Sequence, residues 1–223
     1  MQENWFAVYQ VLLEAFGPQQ WWPADSPLEV MVGAILTQNT AWRNVEQAIA
    51  RLKASQGLGV QAILARPTEH LEQDLRPAGY FRVKAVRLRA LCHFLEQQGC
   101  ASAPESLAER GDAALLRQRL LDVHGIGEET ADSILLYALE KPVMVVDAYT
   151  RRLSHRMGWT GAKIPYASLQ KRVEAGLPPG DAGMRKELHA LIVQLGKKFC
   201  RPSPRCAGCP FQEKCVHGRQ VSH

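Results

Sequence analysis

The chain has 223 residues, 46% of them hydrophobic and 22% charged, with a formal net charge of +5. That length can bury a good core as one domain or two small lobes, and the proportions are those of an ordinary globular protein. No apolar run approaches the roughly eighteen residues of a membrane span, no basic segment followed by an apolar one opens the chain as a secretory signal would, and the mild positive charge suits a polyanionic partner.

Apolar residues recur at helical spacing and little alternates like strand, so the chain reads as all-α. Trp5, Val8, Leu12 and Phe16 share one face of a first helix, Asn4 to Phe16, stopped by Gly17 and Pro18. The loop Trp21-Trp22-Pro23 follows. Neighbouring tryptophans in a loop point different ways, so one of the pair is expected to line a pocket. Ser26-Pro27 opens a helix from Leu28 to about Thr37. The polar run Thr37-Gln38-Asn39-Thr40 then breaks the apolar pattern, with Thr40 as the expected cap of the next helix and Trp42 just beyond it. Residues 52 to 74 read as a short helical pair broken at Gly57 and Gly59. Gly79 makes a turn with Tyr80-Phe81 at its tip, before a helix to about Gln97. Those aromatics either pack on the core or stand out from it. Gly99 to Pro104 is a linker, and Leu107 to Leu121 a helical stretch interrupted at Gly111.

Residues 120 to 155, LLDVHGIGEETADSILLYALEKPVMVVDAYTRRLSH, form the stretch around which the chain is organised. The pattern predicts a helix ending near Val123, a tight turn His124-Gly125-Ile126-Gly127, and a second helix from Glu128 to Leu139. Both glycines are expected to supply positive φ and close backbone approach, and Ile126 to pack between the helices. Amides opening the second helix would suit an anion, with His124 nearby as a phosphate contact. Asp147 follows the apolar run Pro142-Val143-Met144-Val145-Val146 and precedes a helix carrying Arg151 and Arg152. A carboxylate there is favoured by the helix dipole and stays ionised. Taken alone, Asp147 reads first as an ordinary N-cap and the glycine turn as a plain αα-hairpin. Further helices are expected over 165–175 and from Met184 to Phe199, with a ragged tail from Val216. His155 and His189 read as core or helix-face residues.

Four of the six cysteines crowd into sixteen residues as Cys200-x5-Cys206-x2-Cys209-x5-Cys215. Thiolates this close can wrap a tetrahedral zinc or a cubane iron–sulfur cluster, and spacing alone does not separate the two. Without an export signal, the group reads as metal chemistry in a reducing, cytoplasmic setting and not as a disulfide framework. Arg201, Arg205 and Lys214 add positive charge that suits phosphates.

From about residue 5 to 215 these features resemble the helix-hairpin-helix DNA glycosylases of the endonuclease III superfamily. The resemblance implies an all-α fold of two helical lobes meeting at a cleft: a terminal lobe (1–27 and 135–199), a central lobe (28–134) with the hairpin at about 118–139, and an iron–sulfur loop at 200–215. It further implies that His124, Gly125 and Gly127 hold a DNA phosphate and that Asp147 acts at the anomeric carbon. The residue matching Gln38, with Asn39 beside it, fills the gap left by the extruded nucleotide, and Tyr80-Phe81 form a wedge against the opposite strand. Cys200, Cys206, Cys209 and Cys215 would hold a [4Fe–4S] cluster, zinc being the alternative; the first gap is one residue shorter than is usual in the family. Bifunctional members carry a lysine nucleophile where this chain has Glu129, so the resemblance implies hydrolysis without strand cleavage. Glu129 itself either complements the helix dipole or contacts the base or its water.

The Trp-Trp-Pro loop, an aromatic residue four after the glutamine, and a glutamate at the lysine position are similar to the 3-methyladenine glycosylases of the endonuclease III type. There an aromatic sandwich grips the alkylated base, which would correspond to Trp21, Pro23 and Trp42, with Trp22 adjacent. A cationic purine suits such indoles, with cation–π attraction of about 0.5–2 kcal/mol. The expected function is a monofunctional DNA N-glycosylase of base excision repair acting on an alkylated purine. A uracil/thymine mismatch or oxidised-pyrimidine glycosylase is the alternative, and a lesion-binding or redox-sensing iron–sulfur protein the non-enzymatic one. The expected partner is double-stranded DNA with a damaged or mismatched base, met by a monomer away from membranes.

Overall fold

Local side-chain caps start several of the helices. In the computed structural model, which describes residues 3–221, the Asn4 side chain accepts from the Ala7 amide at 2.9 Å and starts α1 (Trp5–Phe16). The Ser26 hydroxyl accepts from the Glu29 amide ahead of Pro27, whose missing N–H costs nothing at a first helical position, and α2 (Pro27–Leu36) follows. Next come α3 (Trp42–Gln56), α4 (Val60–Ala65), α5 (Thr68–Leu75), a 3-10 turn at Arg76–Ala78, and α6 (Phe81–Gln97). Thr40 does not cap α3: Ala41 occupies the cap without a side-chain bond, because the Thr40 hydroxyl is bonded to the distant Ala78 carbonyl. The expected stretch from Leu107 divides at Gly111 into a 3-10 segment, Pro104–Arg110, and α7 (Ala113–Leu121), capped by Asp112.

The helix after the hairpin is not regular to Leu139. It starts as α8 (Glu128–Ser133) and widens into a π-helix over Ile134–Ala138, with the Leu139 amide reaching the Ile134 carbonyl at 3.1 Å. Then follow α9 (Ala148–Arg156), α10 (Tyr166–Ala175), α11 (Ala182–Lys198) and α12 (Val216–Val221). α12 replaces the expected ragged tail from Val216, whose side chain lies over Gly158. Among the described residues there is no strand, and no helix is long and apolar enough to cross a membrane.

Two compact units share these elements: Trp22–Lys141, and the chain up to Trp21 and from Pro142 onward. These bounds differ by a few residues from the expected 27/28 and 134/135, and the π segment packs on α2 within the central unit. In that unit α2 is buried from Leu28 to Leu36, the mark of a core helix covered on all sides. Its one carboxylate, Glu29, is matched by Lys53 at 2.7 Å. In the terminal unit, Trp5, Val8 and Leu12 of α1 meet Leu188, Leu191, Ile192 and Leu195 of α11. Each such fully buried aliphatic side chain contributes about 1.5–3 kcal/mol. Gly196 sets the approach of α11 to α9, since a Cβ there would lie 2.0 Å from the Tyr149 ring. That close contact places the start of α9 beside α11.

Candidate functional site

In the central unit the hairpin between α7 and α8 is clamped by Arg117. Its guanidinium donates to both oxygens of the fully buried Asp132, at 2.7 and 3.1 Å, and to Glu128 at 3.4 Å. Gly125 takes φ +85°, and a Cβ there would meet Arg87 Cγ at 2.2 Å, so glycine alone fits. Gly127 departs from expectation: it is extended, at φ −95°, with nothing within 4 Å of where a side chain would begin. Its contribution is open space above the backbone, not a left-handed turn. Ile126 is buried, while His124 and Glu129 are exposed.

Gln38 is brought to this hairpin. Its amide nitrogen donates to the Gly125 carbonyl and the Thr130 hydroxyl, each at 3.0 Å, and its oxygen accepts from the Arg87 guanidinium. Asn39 beside it is exposed in the left-handed region at φ +52°. Tyr80 is likewise left-handed, at φ +46°, and 73% exposed. Holding a non-glycine residue there costs of order 1–3 kcal/mol and points to a constrained, functional segment. Phe81, expected beside it in the wedge, is half-buried, with Arg76 and Arg82 at 5.4 and 5.6 Å from its ring.

Trp22 meets Trp42 edge to face, with centroids 5.1 Å apart, and also Tyr137 at 5.3 Å. Trp22 can lie there because Gly33 has no side chain in its way. Trp21 belongs to the terminal unit, with the Lys197 ammonium 5.7 Å from its ring centroid, and Pro23 is exposed. Within the central unit, Trp22, Trp42 and Tyr137 form one aromatic group. Tyr137 lay hidden in the sequence inside an apolar run that gives no phase.

In the terminal unit Asp147 caps α9. One carboxylate oxygen accepts from the Thr150 amide at 2.8 Å and the Thr150 hydroxyl at 2.9 Å; the other lies 3.7 Å from His189 Nε2 on α11. Asp147 is 8% exposed and His189 7%. Burial works to raise the Asp147 pKa, but the neighbouring His189 and the two Thr150 donors outweigh it and hold the carboxyl below its ordinary value. An ionised carboxylate is thus fixed in a nearly dry setting, able to stabilise positive charge that develops in front of it. His189 reads in the sequence as a core or helix-face residue, and it is buried, but the pattern does not name the carboxylate it faces.

The cysteines of the C-terminal loop, Cys200, Cys206, Cys209 and Cys215, line one pocket together with Leu153, Phe199 and Phe211. Arg156 organises it: its guanidinium donates to Cys200 Sγ at 3.3 Å, to the Arg201 carbonyl at 2.6 Å and to the Pro202 carbonyl at 2.9 Å. Burial raises the Cys206 and Cys209 thiols, and the charges of the neighbouring cysteines raise them further. Four thiolates gathered without a cation would repel one another, so the donor set fits a soft, positively charged metal centre. No three His, Cys, Asp or Glu side chains among the described residues are placed to hold a single metal ion. Cys92 and Cys100 are core residues, and burial pushes Cys92 up to about 12.

Comparison with known proteins adds to this geometry. A family model described as HhH-GPD superfamily base excision DNA repair protein matches residues 32–179. A Methanocaldococcus jannaschii protein that carries the name of a DNA repair glycosylase is 44% identical, over 97% of this chain and 99% of its own. A trapped endonuclease III–DNA covalent intermediate shares the fold, with a TM-score of 0.84, 22% identity and full coverage of both chains. An H. pylori 3-methyladenine DNA glycosylase bound to 1,N6-ethenoadenine has a TM-score of 0.75 at 28% identity, covering 88% of this chain and 98% of its own.

Proposed function

The chain belongs to the HhH-GPD superfamily of base excision DNA repair proteins, and from that premise we propose that it is a monofunctional N-glycosylase that releases an alkylated purine from duplex DNA. The observation that carries the reading is Asp147, a buried carboxylate held ionised by Thr150 and His189 at the start of α9. As the bond from C1′ to the base breaks, its electrons leave with the base and positive charge grows on the sugar. A fixed carboxylate stabilises that charge, and water then adds at C1′ and gives up a proton to solvent, which completes the hydrolysis. A purine alkylated at N3 is already cationic and leaves readily, so no strong general acid is required for it. Trp22, Trp42 and Tyr137 offer the electron-rich rings such a base favours, and the likeness to a 3-methyladenine glycosylase supports the same choice. Glu129 supports hydrolysis alone, since a carboxylate forms no Schiff base with the sugar.

Chemistry on a base requires the base outside the stack. Gln38, Asn39 and Tyr80 are the residues proposed to occupy and hold open the duplex, with the hairpin amides at Gly125 and Gly127 and the exposed His124 at the phosphate backbone. Cys200, Cys206, Cys209 and Cys215 would hold a [4Fe–4S] cluster that braces a loop carrying Arg201, Arg205 and Lys214 toward phosphates. Protein purified without chelator is expected to be brown and to contain iron and acid-labile sulfide in equal amounts, both lost in Cys206→Ala. Zinc alone in the metal analysis would replace the cluster by a structural ion.

Duplexes carrying one defined lesion each test the activity: 1,N6-ethenoadenine, uracil or thymine opposite guanine, and an oxidised pyrimidine, alongside methylated DNA assayed for free 3-methyladenine. Release of the alkylated purine, with strand breaks only after alkali, is the expected result. Breaks without alkali would identify another amine as nucleophile and overturn the monofunctional reading. Preference for the mismatched or oxidised pyrimidine would overturn the substrate, and binding without release would make the protein a lesion binder.

A further inference from the structure

Three segments proposed above as DNA contacts converge on one face of α6. Lys84, on the first turn of that helix, is 1% exposed, and its ammonium donates to the Leu36 carbonyl at 2.8 Å, the Thr40 hydroxyl at 2.6 Å and the Ala78 carbonyl at 2.7 Å. All three of its protons are used. Leu36 O belongs to the last turn of α2 and Ala78 O closes the 3-10 turn, carbonyls left over at helix ends where a cation is favoured. The Thr40 hydroxyl donates in turn to Ala78 O, so the Gln38–Asn39 loop and the Tyr80 turn are joined directly as well as through the lysine. One turn along α6, the Arg87 side chain lies across Gly125, and its guanidinium holds the Gln38 side-chain oxygen.

Lys84 sits in the apolar stripe of α6, in register with Leu88, Leu91 and Leu95, where a leucine or methionine would pack without the cost of burying a charge. Burial and the charge of Arg87 push its pKa down to about 8, so at neutral pH it remains an ammonium with three donors. A charge kept in such a position makes sense if the geometry it enforces matters.

We propose that Lys84 and Arg87 act as positioning residues, a rack on α6 that fixes the Gln38–Asn39 loop, the Tyr80 turn and the glycine hairpin in one register so that they enter the duplex as a preformed unit. The proposal rests on the reading of those segments as DNA contacts. Preorganisation matters because loops ordered only on binding draw on the energy needed to open the base pair. The rack therefore serves base extrusion and not the bond-breaking step.

Lys84→Met keeps the stem and removes the donors. Thr40→Val removes the shared hydroxyl at nearly constant volume and guards against a variant that fails to fold. Single-turnover release is measured from an ordinary duplex and from one with the lesion opposite an abasic gap, where extrusion is easy; amide exchange of the free protein is followed in residues 37–41 and 76–80. Both variants are expected to slow release from the duplex by about tenfold to a hundredfold, the scale of a small misplacement. Release from the gapped substrate should stay within about threefold, and exchange should rise in the two loops alone. Equal losses on both substrates, or exchange raised throughout the unit, would make the lysine a stability element and overturn the rack. Tyr80→Ala separates the premises: if it leaves duplex release intact, the loops are not DNA contacts and the underlying reading fails. If it slows release and Lys84→Met and Thr40→Val do not, the rack alone fails.

Discussion

Asp147→Asn is expected to lower single-turnover base release by about 10²–10⁴-fold while leaving duplex affinity within about threefold. Asparagine keeps the volume, and its carbonyl oxygen can still accept from the Thr150 amide and hydroxyl, so the α9 cap survives. What disappears is the negative charge that His189 and Thr150 maintain against the effect of burial. Because the folded pKa lies below the ordinary value, the active ionised form persists through neutral and mildly acidic pH. The wild-type rate should fall only as pH drops below about 3.9, the ordinary aspartate value, and toward the folded pKa beneath it. Release kinetics with enzyme in excess would measure both effects. An asparagine variant with the wild-type rate would reduce Asp147 to a cap and move the chemistry elsewhere.

That Asp147 deserves this test was legible in the chain, because a carboxylate between an apolar run and a helix start is a local pattern. The cysteine spacing and the glycine hairpin were legible for the same reason. What escaped the reading is long-range. Thr40 carries every local mark of a helix cap, yet its hydroxyl is bonded to Ala78, an alternative no local rule weighs. Periodicity put Lys84 and His189 on helices without naming the Leu36 carbonyl or the Asp147 carboxylate they face. The π-helix at Ile134–Ala138 is buried on every side, so its apolar run has no phase from which a widened turn could be read. Trp22 packs with Trp42 across the missing side chain of Gly33, a contact that no local rule names.

The hairpin should prove more sensitive to Arg117 than to its partner, and this asymmetry follows from exposure. The Asp132 side chain is 0% exposed and that of Arg117 25%. Arg117→Met strands a carboxylate in the interior without its guanidinium, at an expected cost of about 3–5 kcal/mol, out of the roughly 5–15 kcal/mol that holds a domain folded. Asp132→Asn leaves a guanidinium that can still turn toward water and Glu128, and it should cost about half as much. Replacing both, as Arg117→Met with Asp132→Leu, removes the stranded charge and should recover most of the loss, because a buried pair and a well-packed apolar pair are often close in energy. Urea unfolding of wild type, Arg117→Met, Asp132→Leu and the double variant closes the double-mutant cycle, with Asp132→Asn measured beside them and unchanged m-values confirming a common transition. If the double variant folds as well as wild type and still binds undamaged duplex, the ion pair serves stability alone. If it folds well and binds weakly, the clamp sets the angle of α7 against α8 and with it the aim of the hairpin amides. Arg117→Met costing less than about 1 kcal/mol, the range of exposed pairs, would mean that water reaches Asp132 and the clamp is not a buried one.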